Sequence, residues 1–126
     1  MEQFSQTELH EAARAITSAM HKSEKAISKL KENSPQYRLT EGNIRAFHLA
    51  LVLIEHEQGL QEAQSYSAGA CAEAQASFSS MIARVEKILP KFVPGTPQHT
   101  LAVRRIRAFE IAGEMIQREL TADYDE

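Results

Sequence analysis

The chain spells out one helix opening twice. Ser34 to Phe47 reads SPQYRLTEGNIRAF, and 62 residues later Thr96 to Phe109 reads TPQHTLAVRRIRAF. Laid without a gap against residues 63 to 124, residues 1 to 62 give 17 identities. They cluster. Glu24, Lys25 and Lys29 match Glu86, Lys87 and Lys91, and Pro35 and Gln36 match Pro97 and Gln98. Ile44 to Phe47 match Ile106 to Phe109, while Ala50, Ile54 and Glu57 match Ala112, Ile116 and Glu119. Apolar mismatches stay apolar, with Ile16, Met20, Ile27 and Leu30 opposite Phe78, Ile82, Leu89 and Phe92. A fixed period marks a repeated supersecondary unit, and here it predicts an internal duplication: copies at 1–62 and 63–124 within one helical domain spanning 1–126.

Each copy carries helical periodicity. Leu9, Ala12, Ala13, Ile16, Met20, Ile27 and Leu30 fall on one face at steps of three, four and seven, as do Leu39, Ala46, Phe47, Ala50, Leu51 and Ile54. Ser5 followed by Glu8 reads as a capping box, and Gly59 is placed to stop the second helix. Ser34 and Thr96 read as N-caps, each followed by proline at the first helical position, where a missing N–H costs nothing. Asn33, and Pro94 with Gly95, break the helix before. Helices are predicted near 6–32, 35–58, 64–90 and 97–122. Each copy is then an αα-hairpin, and two of them joined through their apolar faces make an all-α, antiparallel four-helix bundle with pseudo-two-fold symmetry. Small residues crowd Ser65 to Ser80, a surface that either packs tightly within the bundle or faces another subunit. Gly59 leaves two options open, a closed hairpin or continuous second and third helices exchanged between two copies.

The totals exclude little but point one way. A chain of 126 residues with 43% hydrophobic and 25% charged residues is large enough for a core without disulfides or metal. A net charge of −3 gives no overall pull toward nucleic acid or an anionic membrane. Cys71 is the single cysteine, the amino-terminal stretch lacks a basic and apolar leader, and the longest apolar run, Leu49 to Ile54, is too short for a bilayer. A cytoplasmic protein without membrane attachment is expected. The acidic end, Asp123 to Glu126, reads as a solvated tail.

Arg45 lies opposite Phe47 and Ile54 on its helix, so its recurrence as Arg107 is not core packing. In a hairpin turning near residue 33, Glu24 comes level with residues 43 to 45, which suggests a Glu24 to Arg45 latch and its twin, Glu86 to Arg107. A sharper alternative makes the hairpin tips an anion site, because helix amino ends offer free N–H groups and partial positive charge. Lys91, Thr96, Gln98, Arg104, Arg105 and Arg107 gather about one tip, and Lys29, Ser34, Gln36 and Arg38 about the other. Arg105 shares the wheel position of Ile116, so it sits at an open rim or answers a buried acid.

Signatures of catalysis are missing from the chain. No histidine follows an acid by three residues, and His-Glu-x-x-His is absent. His10, His21, His48 and His56 become Ala72, Ala83, Glu110 and Arg118 in the second copy, so no symmetric metal cage and no cofactor is expected. Cys71 takes the place of Leu9 on the core stripe and reads as a small buried hydrophobe. The expectation is a non-enzymatic helical protein acting through protein contacts, as a homodimer or as an adaptor or inhibitor. The alternative is a binder of an anionic small molecule such as a nucleotide at the basic tips. Weak nucleic-acid binding comes third, because no base-stacking platform is present.

Overall fold

A computed structural model describes residues 3–122, so the acidic tail lies outside the described residues. Four helices follow in order: α1 (Gln6–Ile27), α2 (Pro35–Glu57), α3 (Ala68–Ile88) and α4 (Pro97–Ala122), with a short 3₁₀ turn at Leu89–Lys91. α3 starts 62 residues after α1, and α4 starts 62 residues after α2. The reason is local, since each helix opens on a hydroxyl cap. Ser5 Oγ accepts from the Glu8 amide while Glu8 Oε1 accepts from the Ser5 amide, completing the capping box. Ser34, Ser67 and Thr96 accept from the amides of Tyr37, Ala70 and His99 at 3.1, 3.0 and 3.3 Å.

The stops are equally local. Asn33 and Gly95 take the left-handed conformation, φ 65° and 90°, just before the caps of α2 and α4. α1 ends at Ile27 rather than near 32, because the Lys29 and Leu30 amides turn back to the Ala26 and Ile27 carbonyls. α3 begins at Ala68 rather than 64, since Ser67, the counterpart of Ser5, caps it. Gly59, at φ 81°, ends α2: its amide donates to His56 O at 3.0 Å, and the Leu60 amide donates to Glu55 O at 2.9 Å. That pair of bonds is a Schellman motif, which favours glycine at the left-handed position. α2 and α3 are therefore separate helices folded back on each other.

The four helices pack around one core, with α2 and α4 meeting across the middle. Gln75, early in α3, donates to Gln117, late in α4, at 2.8 Å, as an antiparallel pair requires. At the centre the rings of Phe47, Phe78 and Phe109 form a triangle with centroid separations of 5.8, 5.9 and 5.4 Å. Such tilted and edge-on pairs suit the ring quadrupole. Ile16, Ile54, Ala112 and Ile116 are completely buried, and Cys71 lies in the same core, at the place its alignment with Leu9 gave it. The apolar stripes hold through the middle of the bundle and relax where the two hairpin turns lie. There Ile27 and Leu30 are only half-buried, and Leu39 and Leu101 are exposed.

α1 and α4 are joined at their surface by Arg107, whose Nη2 donates to Glu8 Oε2 at 2.8 Å, while the guanidinium also lies over the Phe4 ring. The arginine, and next the Ser5 amide, holds the Glu8 carboxyl below its ordinary 4.5. A carboxyl depressed in the folded state contributes stability above its unfolded value and loses it as pH falls through the lower folded value. Denaturation midpoints measured from pH 6 downward should therefore fall in the region below 4.5, and Glu8→Gln should flatten that part of the profile.

Candidate functional site

The arginine latches take other partners. Arg45 pairs with Glu41, one turn away on its own helix, at 3.4 Å, rather than with Glu24. Arg107 reaches Glu8 on α1 rather than Glu86. An i, i+4 carboxylate is already in reach of Arg45 without ordering a second helix, and Arg107 meets a better-held acid across the α1/α4 seam. Glu24 and Glu86 stay exposed.

Both basic tips lie at the end of the bundle that carries the hairpin turns. Lys29, Gln36 and Arg38 at one tip, and Lys91, Gln98 and Arg104 at the other, are exposed. Ser34 and Thr96 are half-buried and spend their side-chain oxygens on their own helices. The amides an anion would use are largely committed. Pro35 and Pro97 have no N–H, the caps take the Tyr37 and His99 amides, and Arg38 and Thr100 donate to the Ser34 and Thr96 carbonyls. Only the Gln36 and Gln98 amides remain among the first four of each helix.

The core stripe is interrupted at matching places in α2 and α4. Asn43, 8% exposed, has its Oδ1 buried without a partner, and its counterpart Arg105 has its Nε buried without one. Each stands one helical turn from the phenylalanine triangle, toward the turns. Arg105 is half-buried, and no acid answers it among the described residues, so of its two expected settings it takes the open rim.

Two grooves cut the outer surface. One, of about 610 Å³, lies between α2 and α3. Gly42, Ala46, Ala70, Ala74, Ala76 and Ser77 line it with small side chains, with Leu39, Leu49 and Val52 beside them. Arg38, Arg45 and His48 stand along its α2 rim and Glu73 along its α3 rim. Tyr66 closes one end, and burial, then the Cys71 thiol, pushes its phenol above the ordinary value. The small residues noticed in Ser65 to Ser80 are one wall of this groove. The second groove, of about 590 Å³, runs along α1 from His10 to Lys25, with Glu55, Gln58 and Leu60 from the end of α2 as its far wall. It was not foreseen, although its signal was present: Arg14, His21 and Lys25 follow His10 at steps of four, seven and four, away from the apolar stripe.

Among the described residues no three histidine, cysteine or acidic side chains stand close enough to hold a metal ion. No described helix is long and apolar enough to cross a membrane. No family model, curated protein or solved structure matches this chain.

Proposed function

We propose that this is a non-enzymatic helical protein of the cytoplasm that works by docking polypeptide helices, and that its first partner is a second copy of itself through the α2/α3 groove. The single observation carrying this reading is the groove's make-up. A floor of alanine, glycine and serine lets a further helix approach closely, while leucine and valine supply apolar area. Its charges are also self-complementary. Two copies related by a two-fold axis would set Arg38 and Arg45 of one against Glu73 of the other, as an isologous interface demands. A single cysteine, with no second one in the sequence to form a disulfide, supports the cytoplasmic setting. Retention of a small anion at the basic tips has less support, since the caps and prolines leave one free amide per helix end.

Ala76 is exposed on the groove wall, so tryptophan there should block the approach of a second helix without disturbing the core. In sedimentation equilibrium the unaltered protein is expected at twice 14.1 kDa and Ala76→Trp at 14.1 kDa, with the thermal transition of the monomer kept. A natural chain that stays at 14.1 kDa up to millimolar concentration would rule out self-association.

A further inference from the structure

We propose that the α1 groove is a second docking surface, and that its occupant is an acidic amphipathic helix of another protein. The inference extends the reading above from self-association to adaptor. It begins with unspent charge. Arg14, Lys22 and Lys25 are exposed on this face and take part in no ion pair among the described residues, although Arg45, Arg107 and Arg118 elsewhere each have a glutamate. His10 and His21 stand in the same row, and Glu55 is the one acid in the lining. Glu55 is already occupied, accepting from Gln61 Nε2 at 2.8 Å. On a chain of net charge −3, and with Glu11 and Glu24 exposed on α1 outside the lining, the three lysine and arginine charges inside the groove make a local field that orients an anionic partner.

The groove's shape selects the kind of anion. Between the cations and the end of α2 the floor is Ala13 and Thr17, both half-buried, and beside them Leu60 stands 73% exposed. Small floor residues admit a helix backbone, and a projecting leucine offers one apolar anchor. The lined stretch of α1, His10 to Lys25, is about 22 Å long, the length of about four helical turns. A nucleic acid finds no phenylalanine, tyrosine or tryptophan here on which to stack a base. A membrane finds one exposed leucine, too little apolar surface to hold it. A helix with glutamates along one edge and leucines along the next matches both the charge and the floor.

The test uses the full chain and a fluorescein-labelled helical peptide of about four turns, with glutamates at i, i+4 spacing and leucines on the adjoining edge. Its controls are a scrambled isomer of equal charge, a short DNA duplex and phosphatidylserine vesicles. Fluorescence anisotropy should show binding of the amphipathic peptide over its isomer. The R14E/K22E/K25E variant should weaken it about tenfold or more, as loss of a complementary charged rim does. Leu60→Ser should weaken it severalfold, while R84E/K87E, reversing two exposed cations on α3, should leave it unchanged. The proposal is overturned if no peptide binding occurs up to millimolar concentration, if the isomer binds equally well, if R14E/K22E/K25E binds like the natural chain, or if the duplex or the vesicles are preferred. Sedimentation of the same samples separates the two readings: a monomer that still binds the peptide loses the α2/α3 dimer and keeps this surface.

Discussion

Phe47→Ala is expected to cost about 3–5 kcal/mol, the range for removing a fully buried aromatic ring. Phe47 is 2% exposed, and its ring meets both Phe78 and Phe109, so the cavity opens at the point where α2, α3 and α4 converge. No neighbour collapses into that space without dragging a helix. Small domains have roughly 5–15 kcal/mol in all, so the loss should move the urea midpoint far down or leave the chain partly unfolded. The same change at Phe109 should behave alike. A Phe47/Phe109 double-mutant cycle should return a coupling of about 0.5–1.5 kcal/mol from the ring pair itself. Urea denaturation followed by circular dichroism reads all three quantities, and a loss under about 1 kcal/mol for Phe47→Ala would mean that the ring is not at the centre of the core.

Asn43→Leu should act in the opposite direction, raising stability by about 1–2 kcal/mol. Asn43 is buried on the stripe that also holds Ala46, Phe47 and Ala50, and its Oδ1 has lost water without gaining a donor. Leucine keeps the same branched side-chain skeleton, with bulkier methyl ends that the 8% exposure of the site leaves room to turn outward, and it removes the orphan acceptor. The counterpart Arg105 differs, because it is only half-buried and its remaining nitrogens are not covered. Arg105→Leu should therefore change stability less than Asn43→Leu. If Asn43→Leu destabilises the protein in the same urea assay, the amide has a partner and the polar layer belongs to a site.

Much of this fold was legible because its signals are short-range. Ser5 with Glu8, Ser34 with Pro35, and Thr96 with Pro97 fix three helix starts by bonds within four residues. Asn33, Gly59 and Gly95 fix the turns by backbone conformation alone. The spacing of Phe47, Ala50 and Ile54 then says which face goes inward. Signals of long range were lost. The partner of Arg107 depends on how α4 sits against α1, and a glutamate 99 positions away in sequence leaves no periodic trace. The early end of α1 depends on competing bonds at Ser28 to Leu30, which composition does not separate from a further helical turn. The α1 groove was missed for a different reason. Its cations read as solvated surface until Leu60 and Glu55 are brought opposite them by the fold.

Amide chemical shifts followed across a dilution series test the docking account most directly, since each backbone N–H reports its own surroundings at every concentration. Concentration-dependent shifts are predicted along the α2/α3 groove, at Gly42, Arg45, His48, Ala70, Glu73 and Ala76, with α1 and the hairpin turns steady. Spectra that do not change with concentration, or that change only around Lys29, Ser34, Lys91 and Thr96, would contradict it.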